Sequence, residues 1–213
     1  NWPTCSDAAV ARAVVLTQDG KPVRDDLGGK QPDCPVHVED GEACDLSRNA
    51  LGENGALFSP QGGLRISMRD LASVGRMLLN GGTLDGVRIL SPQLVDAMLT
   101  PMWRFSGANG ETDHGFYCAY GLATQQIPTR QPGCKDDPAG DGATRIGHAG
   151  DAYGLRSGLW IDRSSGTGVA YFVTGLSDDP PRGRSAYRAA EEAAFRRSLQ
   201  LAAGSRAMGQ PPP

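Results

Sequence analysis

The sequence predicts an α+β fold in which an antiparallel sheet is flanked by helices. Three observations carry that reading. Two capped, amphipathic segments stand side by side between residues 67 and 101. A succession of strand-like segments broken by glycine-rich turns occupies 114–174. One more amphipathic segment, 187–202, closes the pattern. Helices in a block, then strands, then a final helix lay that last helix across the sheet.

Residues 1–60 read as an irregular excursion belonging to the same domain. Asp7 to Thr17 has apolar residues enough for a strand or a short helix. Gln18 to Phe58 is rich in Gly, Asp, Asn and Pro and shows no regular pattern. A loop of that length inside a compact domain is unusual unless it is functional or covers something.

Order returns at Gln61. Ser67 is an N-cap candidate, with Asp70 in the place of the capping-box acid. Leu71, Val74, Met77 and Leu78 recur at helical spacing as core residues, and Asn80-Gly81-Gly82 stops the helix. Thr83 to Leu90 reads as a small hairpin turning at Asp85-Gly86. Ser91-Pro92 caps a second helix with proline at its first position, and Leu94, Val95, Met98 and Leu99 form its expected buried face. Trp103 to Asp113 is a loop. Phe116 to Ala123 is a strand, and Ile127 to Gly142 is rich in turns. Asp136, Asp137 and Asp141 do not match a calcium loop and read as solvated turn residues. Tyr187 to Ala202 is an amphipathic helix with Ala190, Ala194, Phe195, Leu199 and Ala202 inward. The domain proper therefore runs over 61–202, and 203–213 is expected to be a disordered tail or linker.

The chain has 213 residues, long enough for one domain with a sizeable core. Its 21 basic and 24 acidic residues give a net charge of −3, and the arginines are scattered, so neither nucleic acid nor a membrane surface is indicated as a partner. No apolar run approaches the roughly 18 residues of a membrane span. The chain begins Asn1-Trp2-Pro3 without an initiator methionine and reads as a cut end. Five cysteines stand at 5, 34, 44, 118 and 134. Cys34 and Cys44 flank a short acidic loop, and Cys118 and Cys134 flank a Gly/Pro-rich excursion. Both pairs suit local disulfides, which implies a periplasmic or secreted protein. Cys5 is either free or paired outside this chain. Cys34, His37 and Cys44 could also be imagined on zinc, but a fourth ligand at a recognisable spacing is missing. No cofactor or metal is implied.

The densest stretch is Arg145 to Arg156, RIGHAGDAYGLR. It reads as a strand with a histidine at its tip, followed by a hairpin of 157–161 and 169–174. Glycines close behind let a ligand approach the backbone. Exposed N–H groups on such an edge can bind a peptide or an oxyanion. The plainer reading is a strand that ends in a glycine turn with a surface histidine.

Several pieces together resemble the serine β-lactamase and penicillin-binding-protein-like hydrolases, in the branch of class C β-lactamases, D-alanyl-D-alanine carboxypeptidases and family VIII esterases. Gly62-Gly63-Leu64 leading to Ser67-x-x-Asp70-Leu71 is similar to that family's helix start. Leu78 to Gly82 followed by Ile89-Leu90-Ser91-Pro92 is similar to its LLNGG…ILSP segment, and Tyr120-Gly121-Leu122 to its YGLG strand. His148-Ala149-Gly150 stands where the family has Lys-Thr-Gly or His-x-Gly. The resemblance covers residues 55–202 and implies a β-lactamase/transpeptidase-like fold, of which this would be the C-terminal portion.

In that family a serine attacks an acyl carbonyl, an acyl-enzyme forms, and water releases it. The resemblance assigns His148 to the site and the backbone N–H of Asp151 to the oxyanion hole, with Ala149, Gly150, Tyr153 and Arg156 against substrate. Tyr153 reads equally as packing and Arg156 equally as a surface ion pair. The nucleophile motif Ser-x-x-Lys is absent, because the residues three before the three lysines are Gln18, Leu27 and Pro132. No Tyr-x-Asn occurs either. The expectation is thus a serine hydrolase acting on a β-lactam, a D-amino-acid peptide or an ester, whose nucleophile lies on an N-terminal half of the same protein, joined to this chain or separate from it. The alternatives are a non-catalytic binding module of the same fold and, more remotely, a zinc protein.

Overall fold

A computed structural model describes residues 14–23, 66–152 and 154–207. The expected Cys34–Cys44 pair, the zinc set of Cys34, His37 and Cys44, and Cys5, Gly62 to Leu64 and Tyr153 lie outside the described residues.

Helix α1 spans Met68–Leu79 and helix α2 spans Pro92–Leu99. Each starts where its cap stands. Ser67 Oγ accepts the N–H of Asp70 at 3.1 Å, and Ser91 Oγ accepts that of Leu94 at 3.3 Å, satisfying N–H groups that the first turn leaves free. α1 ends at Asn80, whose N–H donates to the carbonyl of Arg76 at 2.9 Å. Between the helices, β3 (Thr83–Leu84) and β4 (Val87–Arg88) pair around Asp85-Gly86. Both turn residues have positive φ, 48° and 83°, the geometry of a two-residue hairpin. Val95 and Leu99 are buried as expected, whereas Leu94 is 56% exposed. It stands at the third position of α2 with its side chain toward solvent, beside the buried Val95.

A hairpin of β1 (Leu16–Gln18) and β2 (Lys21–Val23) precedes these helices. It turns at Asp19-Gly20, inside a stretch that showed no regular pattern in the sequence.

The main sheet has six strands in the order β10-β9-β8-β7-β6-β5. They are β5 (Trp103–Arg104), β6 (Ala119–Tyr120), β7 (Gln125–Ile127), β8 (Arg145–Ala152), β9 (Leu155–Asp162) and β10 (Thr167–Val173). Every neighbouring pair is antiparallel. Of the expected strand over 116–123 only Ala119–Tyr120 is strand, and the next strand starts beyond it at Gln125. Phe116 to Cys118 follow Asp113, His114 and Gly115, three consecutive residues at positive φ, and that turn cannot enter a ladder.

Side chains alternate between the two faces of the sheet. One face carries Trp160, Val169 and Tyr171 against Tyr187 and Phe195. The other carries Ile161 against Met77, Leu78, Val95 and Leu99. Helix α3 (Ala189–Ala207) covers the first face. It runs past Ala202, where the amphipathic pattern ends. Helix α1 covers the second face, and approaches so closely that a Cβ on Gly75 would stand 3.0 Å from Leu159 Cδ1. Helices thus flank an antiparallel sheet on both faces, the α+β arrangement expected.

Cys118 and Cys134 form a disulfide, with Cα atoms 6.1 Å apart. No helix of the described residues is long and apolar enough to cross a membrane.

Candidate active site

β8 is paired along one side by β9, from Ile146 to Ala152. On its other side β7 reaches only Arg145 to Gly147. Among the described residues, His148 to Ala152 therefore have a strand neighbour on one side alone. Such a half-open edge offers backbone groups to an extended ligand or an oxyanion.

Alternation sorts the expected site residues onto two faces. His148 and Gly150 stand opposite Leu159 and Ser157, on the face toward α1. Ala149 and Asp151 stand opposite Gly158 and Arg156, on the face toward α3, where Ala149 packs against the core. Arg156 is 7% exposed, so it is not a surface residue. Its guanidinium pairs with the Asp151 carboxylate and donates to the Leu155 carbonyl at 3.0 Å. Asp151 and Arg156 are thus brought together, and both are on the opposite face from His148.

His148 is half-buried. Its Nε2 lies 2.8 Å from the Tyr120 hydroxyl, and its Nδ1 meets the carbonyl oxygen of Ala149. The two rings are set edge to face with centroids 5.7 Å apart. Tyr117 packs on Tyr120 in the same manner at 5.9 Å, and Phe116 links Tyr117 to Tyr187. A ladder of rings therefore runs from the core to the histidine. Burial holds the Tyr120 hydroxyl above the usual phenol range. Tyr117 is raised too, by burial first and then by Tyr120, Asp113 and Asp151. Sequence reasoning placed Tyr120 in a motif but not at the site. The signal available was the Tyr-x-x-Tyr spacing just before a glycine, which by itself does not name a partner.

Behind β9 and β10, on the α3 face, Glu191 is 2% exposed. Burial pushes its carboxyl up to about 7, against the pull of the Tyr171 hydroxyl and Arg156. Among the described residues no group of three His, Cys, Asp or Glu side chains could hold a metal ion.

A crystal structure of a candidate beta-lactamase from Bacteroides dorei DSM 17855 is similar at 19% identity and a TM-score of 0.42, over 78% of this chain. The chain spans 45% of the length of that one. No curated protein matches. The family model described as Beta-lactamase matches residues 4–194. That match takes in the capped helices, the whole sheet and the start of α3, so the chain belongs to the beta-lactamase family.

Proposed function

We propose that this chain supplies the sheet-side wall of a serine hydrolase that acts through an acyl-enzyme on an amide or ester. The observation that carries the reading is the half-open edge at His148 to Ala152, beside the Tyr120–His148 hydrogen bond. The nucleophile, in Ser-x-x-Lys, comes from a segment outside these residues, on the same protein or on a partner chain. Its serine attacks the acyl carbonyl, and the N–H of Asp151 is one of the two donors to the oxyanion. Gly150 keeps the edge clear for an extended substrate, and His148 lines the site. Ala149 acts from the strand's other face, holding the edge to the core. Arg156 holds the Asp151 side chain away from the oxyanion position, and Tyr153 remains a candidate substrate contact. A β-lactam, a D-amino-acid peptide and an ester all fit this chemistry. The Cys118–Cys134 disulfide supports a periplasmic or secreted setting.

A second reading, a binding module without catalysis, is favoured by the absence of Ser-x-x-Lys from the sequence. Intact mass after a fluorophosphonate or penicillin probe separates the two. Probe mass on a serine of the protein, or of a chain that copurifies with it, supports the hydrolase. A protein that binds a β-lactam or acyl peptide reversibly and gains no mass supports the module.

A further inference from the structure

The geometry points to Tyr120 as a positioning and proton-relay residue for His148: the imidazole is held between the Ala149 carbonyl and the Tyr120 hydroxyl, and exchanges protons with the site through that hydroxyl. The catalytic consequence rests on the hydrolase reading above. The hydrogen-bond arrangement does not.

A carbonyl oxygen only accepts, so the Nδ1 that meets Ala149 carries a proton. In a neutral imidazole the other nitrogen is then an acceptor, and the Tyr120 hydroxyl donates to Nε2 at 2.8 Å. Both ring nitrogens are engaged by the chain itself. A group in the site reaches the histidine's lone pair only through the Tyr120 oxygen, which keeps lone pairs of its own.

The proton balance is simple. A proton arriving at the Tyr120 oxygen forms a new O–H bond there. The original phenolic proton leaves for Nε2. Tyr120 ends as the neutral phenol it was, and His148 ends as an imidazolium whose Nε2–H donates back to the same oxygen. The reverse transfer returns the proton to a leaving group. Burial of Tyr120 supports this role, since it opposes a tyrosinate and suits a conduit that is neutral before and after. The ionisable groups around the pair are Tyr117, edge-on to Tyr120 at 5.9 Å, and Asp113 and Asp151, whose charges reach Tyr117. Asp151 is itself paired with Arg156.

The test is Tyr120→Phe, which keeps the ring and removes the hydroxyl. Nitrogen NMR of the histidine rings in this chain, with His148 assigned from a His148→Gln variant, reads the arrangement directly. In the parent chain His148 should show a protonated Nδ1 and a hydrogen-bonded, unprotonated Nε2. In Tyr120→Phe the Nε2 signal should move to the position of an unbonded nitrogen, with the thermal melt unchanged. In the protein with its nucleophile present, hydrolysis of an ester probe should lose about 10²-fold in kcat, the scale of a general acid–base step, with KM little changed and the pH profile displaced. An Nε2 signal that Tyr120→Phe leaves in place overturns the proposal, whatever the activity. A moved signal with unchanged kcat and pH profile overturns the relay. A moved signal in a protein that hydrolyses nothing leaves the positioning role standing and sinks the hydrolase reading instead.

Discussion

Glu191 of α3 and Tyr171 of β10 meet between helix and sheet: the Tyr171 hydroxyl donates to Glu191 Oε1 at 3.2 Å, and both residues are buried. The carboxyl is raised from 4.5 to about 7, first by burial. Near and below pH 4.5 it is protonated whether the chain is folded or not, and it costs nothing. Between 4.5 and about 7 the unfolded chain gives up the proton and the folded chain keeps it. Stability therefore falls as pH rises through that window. The full shift corresponds to about 3 kcal/mol. Glu191→Gln keeps an acceptor for Tyr171 and removes the charge. It should match the parent at about pH 4 and exceed it by about 3 kcal/mol at about pH 8, measured by urea unfolding. A difference between the two proteins that is the same at both pH values would sink this account.

The disulfide makes a second, independent prediction. Cys118 and Cys134 are 16 residues apart in sequence. Their bond ties the turn at 115–118 to the 128–142 excursion, which Lys135 N–H also reaches by donating to the Gly115 carbonyl at 2.9 Å. Closing a loop of that length restricts the unfolded chain by about 3 kcal/mol. The double variant Cys118→Ala, Cys134→Ala should lose about that much in urea unfolding, with the same far-UV spectrum. A loss well under about 1 kcal/mol would mean that the unfolded chain already holds these segments together.

The helix caps were legible because their chemistry is local. Ser67 with Asp70, and Ser91 with Pro92, declare helix starts without reference to anything distant, and Asp85-Gly86 declares its turn in the same way. A strand starting at Arg145 and the pairing of Cys118 with Cys134 were also readable from composition and proximity, but His148, expected at the strand's tip, stands inside β8, which runs on to Ala152. What escaped was set by tertiary context. Glu191 and Glu192 are acids, and acids are seldom fully buried. Both are 2% exposed here, and the available clue was that Glu191 lies four residues before the inward Phe195. Leu94 looked like core because it is apolar, yet it lies on the outer side of α2. The hairpin at Asp19-Gly20 was missed although its turn pair is the same Asp-Gly recognised at Asp85. The partnership of Tyr120 with His148 joins residues 28 apart in sequence, and no spacing rule connects them.

The cap of α1 is worth testing because it sets where the helix meets the sheet. Ser67 Oγ accepts the Asp70 N–H and donates to the Asp70 carboxylate at 2.8 Å. Ser67→Ala removes both bonds and should cost about 1 kcal/mol, while Ser67→Asp should retain most of the stability. Thermal melts of the two variants decide it. Equal losses would show that the first turn of α1 is held by packing and not by its cap.

Two glycines of β8 look alike in the sequence and differ in what surrounds them. A Cβ on Gly147 would strike the Leu159 carbonyl oxygen and stand 2.8 Å from the carbonyl carbon and 2.9 Å from Trp160 Cα. Those are backbone atoms of β9, fixed by the ladder, so they cannot step aside. A Cβ on Gly150 would press on Ser157 Oγ, with Ser157 Cβ at 3.7 Å. That obstacle is the end of a side chain that can rotate away. Gly147→Ala should therefore cost about 3 kcal/mol or more, and Gly150→Ala only about 1 kcal/mol. Removing the obstacle should separate them further. Ser157→Ala added to Gly150→Ala should restore the parent's melting temperature, because what remains, the Cβ of residue 157 at 3.7 Å, is an ordinary contact. The same addition to Gly147→Ala should restore nothing, since its clash is with the neighbouring strand itself. If Ser157→Ala fails to rescue Gly150→Ala, the obstacle at Gly150 is backbone and not the serine side chain, and the contrast drawn between the two glycines would have to be given up.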